Sequence, residues 1–295
     1  MKKYRYPLLI FLSGCLWGTM GYFRRKMDVM GFSSQGVVFS RCAMAALMFA
    51  ALLLIKDRSQ FKVKLKDFPL FIGSGIVSLF FFSFSYFQAM QLMSLSAAAI
   101  LLYTAPIFVM LMAALFFDER ITGRKLLAIV LCFGGCCLVS GIAGGIKLTG
   151  AGLGYGLCAG FGYALYSIFG KLAMKRGYGS MTVNFWSCLL AALAAGIAGG
   201  FSAPAGIIFS SLSSFGFTAL TALVTTFLPY LLYTEGLSGT EAGTASVVAS
   251  IEPVVATVIG AAVFSEHLTV PAVAGMVMVL AAIVLLSVKD SRERL

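Results

Sequence analysis

Glu252 and Pro253 stand side by side in "SIEPVVATVIG", the middle of an apolar stretch that runs from 242 to 264. A carboxyl group set among apolar residues can do two kinds of chemistry: exchange a proton, or pair with the ammonium of a solute. At 1.5 Å per residue, ten residues into the stretch is roughly 15 Å of depth, close to the midplane of a bilayer core roughly 30 Å thick. Pro253 lacks an N–H and so frees the carbonyl of Ala249, as Pro106 frees that of Leu102 in another apolar stretch. Two helices broken at matching places are thereby expected to face each other beside the acid. Arg41 lies about five residues inside its own stretch, where a guanidinium could attract a carboxylate or snorkel to headgroups. Trp17, Tyr86, Tyr103, Tyr163, Tyr166, Tyr230 and Tyr233 also fall in apolar stretches. A hydroxyl in lipid requires a partner, so these rings are expected to turn inward, either to stack and hydrogen-bond a solute or to pack the core. Tyr163 and Tyr166, three apart on a helix, share a face.

Other chemistries find little to build on. The single histidine, His267, sits where an apolar stretch has just ended, which leaves no HExxH metal site and little room for a Ser-His dyad. No GxxxxGK phosphate loop occurs. No cofactor or metal is expected, and an intramembrane enzyme is a minor alternative. The seven cysteines lie within apolar stretches without ligand spacing and read as core packing. Glu119, Glu241 and Glu266 lie at stretch ends, where acids cap helices or fix loops, and Glu235 reads as a solvated end residue. "LSGC" at 12–15 imitates a lipoprotein signal, but hydrophobicity continues through Phe23, where a mature lipoprotein would turn polar.

The elements that must hold these residues are written in the composition. Apolar residues make up 60% of the 295, charged residues 11%, and mean hydropathy is +0.97. Such a chain is solvated by lipid. Ten stretches of spanning length are predicted: 6–23, 37–55, 68–91, 95–117, 124–142, 151–170, 182–201, 215–237, 242–264 and 271–288. The net charge of +11 is distributed by topology rather than for nucleic acid. With the N-terminus cytoplasmic, the inner segments hold Lys2, Lys3 and Arg5, the five cations between 56 and 66, Arg120, Arg124 and Lys125, Lys171, Lys175 and Arg176, and those after 288. The outer segments hold only Arg24, Arg25, Lys26 and Lys147. Both termini are therefore expected in the cytoplasm, and the 56–67 loop is expected to touch anionic headgroups.

The chain also repeats itself. "FFDERITGRK" at 116–125 returns as "VFSEHLTVPA" at 263–272, with Glu119 on Glu266 and Thr122 on Thr269, but with Arg124 and Lys125 replaced by Pro271 and Ala272. The match extends without a gap back to Tyr86 on Tyr233 and places Pro106 on Pro253; earlier in each half it is weaker, with Arg24 on Lys171 and Arg41 on Ser187 after a one-residue slip. Five spans per copy is an odd number, so the second copy enters the membrane from the other side. Its outward loop then loses its cations. The predicted organisation is an all-α integral membrane protein of two inverted five-helix repeats, 1–142 and 151–288, with a basic cytoplasmic tail at 289–295. Inverted repeats are the usual ground plan of secondary transporters, with a midplane site between the halves. A channel is the rival reading, but no selectivity filter or ring of like charge is present. "GCLWG" at 14–18 and "GLCAG" at 156–160 read as small-residue seams for close helix packing.

"LWGTMGYFRRK" at 16–26, the Arg41-containing start of the second span, "TAPIFVMLMAALFFDERIT" at 104–122 and "IEPVVATVIGAAVFSEHLT" at 251–269 together resemble the EamA-type branch of the drug/metabolite transporter superfamily, over nearly the whole chain. The resemblance implies a ten-span, two-repeat carrier of the bacterial inner membrane that exports amino acids or other small metabolites. It also implies a central cavity lined by spans one to four and six to nine, with five and ten behind. The expected partners are a small-molecule substrate, the lipid bilayer and a coupling proton. A monomer would suffice.

Overall fold

The computed structural model describes residues 5–141 and 149–287, and everything described is helix or connection. Lys2, Lys3, Lys147 and the 289–295 tail lie outside these residues. The helices are α1 (Arg5–Gly18), α2 (Met20–Val29), α3 (Ser34–Lys56), α4 (Phe68–Ile72), α5 (Phe81–Leu92), α6 (Leu95–Leu102), α7 (Ala105–Phe117), α8 (Gly123–Val139), α9 (Gly150–Lys175), α10 (Ser180–Gly199), α11 (Ser202–Ile208), α12 (Leu212–Ala222), α13 (Leu228–Ser238), α14 (Ala242–Ala249), α15 (Glu252–Phe264) and α16 (Val270–Ser287). Taken as continuous rods, nine among the described residues are long and apolar enough to cross a membrane. The predicted span 124–142 corresponds to α8, which is 17 residues long and ends near the limit of the described chain.

Hydroxyl caps start several of these rods. Ser33, Ser94, Thr122, Thr149 and Ser211 each accept from a backbone amide three residues on, satisfying a donor that the first turn leaves open. The breaks lie where the prolines predicted them: α6 stops at Leu102 and α7 resumes with Pro106 in its first turn, and α14 stops at Ala249 before α15 opens on Glu252–Pro253. The rods α7 and α15 end alike, on Asp118 (φ 56°) and Ser265 (φ 55°), both left-handed and both at the same place in the repeat. The first span runs further than its apolar stretch, to Val29, and bends at Thr19. Two wide π-helical stretches, Gly73–Phe80 before α5 and Leu223–Phe227 before α13, also fall at overlapping repeat positions.

The packing has the same twofold logic. The rods α8 and α16 pack on each other, as do α3 and α10, while α1 packs on α13 and its counterpart α9 packs on α5. Glycines make the close approaches. A Cβ on Gly14 would lie 2.6 Å from the Ala249 carbonyl oxygen, and one on Gly18 would lie 2.8 Å from that of Glu252, so α1 lies directly against the α14–α15 break. A Cβ on Gly160 would lie 2.8 Å from the Leu101 carbonyl oxygen at the α6–α7 break. Large apolar side chains such as Leu47, Ile55, Leu115, Ile197 and Val277 stay exposed on the outside, as a lipid-facing surface requires.

Candidate functional site

The breaks deliver Glu252 to the centre. It opens α15, and its side chain borders a cavity of about 20 Å³ shared with Tyr103, Pro106, Tyr163, Ser246 and Ser250. That is room for about one water. Tyr163 also borders a second cavity of similar size, lined by Trp17, Ser78, Phe82, Tyr166 and Tyr230, so the two spaces stand on either side of one ring.

The aromatic residues form a box. The ring of Trp17 lies 5.1 Å from Tyr230, 5.3 Å from Tyr233 and 6.3 Å from Tyr163, and Tyr166 lies 4.8 Å from Tyr230. Edge-on arrangements at these separations are favourable. Tyr86 stays outside the box, stacked on Phe82, and Tyr103 faces Glu252 from the other side. The hydroxyls have distinct uses. Tyr166 donates to Asn184 Oδ1 and lies 3.1 Å from Thr234 Oγ1, and Tyr233 is 2.7 Å from Ser167 Oγ. Those two are held by the protein itself. Asn184, fully buried, also donates to the Tyr230 carbonyl oxygen, and nothing in its sequence surroundings marked it. Ser246 and Ser250 were likewise missed, because a serine in a small-residue helix carries no signal by itself.

Arg41 is 9% exposed, its Nη1 lies 3.4 Å from the Met20 sulfur, and its guanidinium also reaches the Cys42 thiol. Its Nε is buried without a partner, and no carboxylate lies within 4 Å of it among the described residues. Glu252 has no ion-pair partner there either. Arg41 acts electrostatically on Glu252, so two opposite charges face each other inside the helix assembly without forming a direct ion pair, and Tyr163 donates to the Glu252 carboxylate. Buried charges that are not directly paired are costly, so both are available to a visitor that brings charges of its own.

Ion pairs close one end of the assembly. Glu119, with its side chain 8% exposed, lies 2.8 Å from Lys171 Nζ and accepts from the amides of Ala242 (2.7 Å) and Gly243 (3.2 Å) at the start of α14. Burial alone would raise its pKa, but Lys171 and the two amides outweigh that and hold it below the usual carboxylate range. Lys125 pairs with Glu241, and Arg176 with Asp67, on the same side. At the other end Arg25 pairs with Glu266 at 2.6 Å, both half-exposed. Each pair that links separate spans joins residues that the charge count assigned to one side of the membrane.

Comparison with known proteins agrees with this architecture. The model of the EamA-like transporter family matches residues 5–141 and again 150–288. An uncharacterized transporter of Archaeoglobus fulgidus (strain ATCC 49558) is 28% identical over 94% of both chains, and a second from that organism is 26% identical over 96% of this chain and 98% of its own. One solved crystal structure superposes with a TM-score of 0.77 at 16% identity over 95% of both chains, a likeness of fold. With both halves matched, the chain belongs to the EamA-like transporter family, within the drug/metabolite transporter superfamily.

Proposed function

We propose that this membrane transporter is a secondary active carrier, an exporter of small zwitterionic metabolites such as amino acids, working by alternating access through the space around Glu252. The observation that carries the reading is the pair of opposite interior charges, Glu252 and Arg41, which form no direct ion pair and lie beside an aromatic box at the junction of two broken helices. A zwitterion would satisfy both, its ammonium at Glu252 and its carboxylate at Arg41, with Trp17 and Tyr163 against its side chain. Glu252 is also placed to exchange the coupling proton. The cavities each admit about one water, so the solute-sized space opens only as the halves move. A cytoplasmic membrane location with both termini inside follows from the cation count.

The test is counterflow in proteoliposomes across a panel of labelled amino acids and amines. Saturable counterflow is expected; flux without saturation would mean a channel. Glu252→Gln keeps size and hydrogen bonding, so the protein should remain monodisperse while transport falls at least about tenfold, the factor that corresponds to roughly 1.4 kcal/mol, and loses its pH dependence. Wild-type rates in Glu252→Gln across the pH range would sink the assignment.

A further inference from the structure

The two ends of the molecule hold the same parts in different arrangements. A shift of 147 residues takes Glu119 to Glu266, Lys171 to Arg24, Ala242 to Leu95 and Gly243 to Ser96. At the Glu119 end these parts are assembled. One carboxylate caps α14 through the Ala242 and Gly243 amides and pairs with Lys171, which also donates to the Thr240 carbonyl oxygen at 3.0 Å. The ends of α7 and α9 and the start of α14 are thereby fastened together. At the Glu266 end the corresponding parts are apart. Glu266 holds the exposed Arg25, next door to the true counterpart, and α6 is capped by its own Ser94. Arg24 is bound to Asp28 and Ser34, with its Nη1 buried and without a partner. Glu266 makes no hydrogen bond to α6 among the described residues.

We infer that these are two states of one lock. In the opposite state Glu266 moves onto the first amides of α6, at Leu95 and Ser96, and takes the free Nη1 of Arg24, while Glu119 releases α14 and Lys171. The inference rests on the alternating-access reading. It explains why the repeat keeps at both ends the acid and the cation it would take, Lys171 or Arg24. Each state then contains one carboxylate on one helix N-terminus with one cation, so the clamp is exchanged rather than broken and the two states stay close in energy. The left-handed residues Asp118 and Ser265, which set each glutamate off from its helix, are shared by both ends.

Crosslinking tests this with both glutamates in place. One variant carries Ser96→Cys with Ser265→Cys, and its mirror carries Gly243→Cys with Asp118→Cys. Each is treated in proteoliposomes with a short bismaleimide, and linked peptides are read by mass spectrometry against the unsubstituted chain with its seven native cysteines. Both products are expected. Adding Glu119→Gln should raise the 96/265 product severalfold, and adding Glu266→Gln should abolish it while sparing 118/243. Absence of the 96/265 product where 118/243 forms, or its persistence unchanged in Glu266→Gln, would overturn the exchange. Neither result depends on a solute, so failed counterflow with both products present would count against the transporter reading alone.

Discussion

Two tyrosines three residues apart on α9 divide structural from functional use of a hydroxyl. The Tyr166 hydroxyl bonds Asn184 and lies beside Thr234, all buried, so Tyr166→Phe strands polar partners. A loss of about 1–3 kcal/mol in detergent stability is expected, with the apparent affinity of the remaining folded protein unchanged. Tyr163 stands between the two cavities with its hydroxyl on the Glu252 carboxylate, so Tyr163→Phe should act chiefly on the solute: KM raised severalfold, with a smaller loss of stability than Tyr166→Phe. Equal effects of the two substitutions in both assays would contradict the division. Glu119 gives a pH test at the same scale. Its folded pKa lies below the ordinary value, so its contribution is complete above that value and disappears as pH falls through the folded one. Glu119→Gln should therefore be less stable than wild type at pH 7, by about 1.5–3 kcal/mol, with the gap narrowing below pH 4.5. A gap unchanged on acidification would show that the charge is not what matters.

At the scale of the element, the glycines of α9 separate close packing from mere smallness. A Cβ on Gly160 would press on Thr104 Oγ1 and the Leu101 carbonyl oxygen, whereas one on Gly154 meets nothing within 4 Å. Gly160→Val should cost about 1–3 kcal/mol or prevent assembly, since the obstacle is largely backbone and cannot rotate away, while Gly154→Val should be near neutral. Comparable melting temperatures for the two in detergent would remove the seam from the account. The seams and the breaks were legible because glycine spacing and proline act locally, through missing atoms. The π-helical stretches before α5 and α13 were not, because a one-residue widening of a helix leaves hydropathy and period almost untouched. The extension of the first helix to Val29 was hidden by Arg24, Arg25 and Lys26, which end the apolar run but not the helix. Glu252 and the two prolines were legible as chemistry, whereas Asn184, Ser246 and Ser250 acquire meaning only from neighbours on other helices.

At the scale of the whole molecule, sidedness decides whether the two halves are inverted. The rod α3 is 23 residues long, about 35 Å, so its ends lie on opposite faces of a bilayer. It packs on α10, and antiparallel, because Gly199 lies against Gln35 and Thr182 bonds Gln60. Where α10 begins, Thr182 donates to the Gln60 carbonyl oxygen at 2.9 Å and Trp186 Nε1 to that of Phe61 at 3.2 Å, which ties the cationic 56–67 loop to that end. Where α10 finishes, the Phe201 ring lies 5.5 Å from Phe39, and α11 packs on α3 at its Ser34 end. The cation-free loop at 202–214 therefore occupies the other end of the same helix pair. With five cations in the 56–67 loop and none in the 202–214 loop, the positive-inside rule makes the first the expected cytoplasmic loop, although Arg24 lies beside Ser34 at the other end. Cysteines placed at Ser59 and at Ser210 in intact cells should react oppositely with a membrane-impermeant maleimide: the second labelled from outside, the first only after permeabilisation. Labelling of both from outside would end the inverted-repeat account, and the exchange of Glu119 for Glu266 along with it.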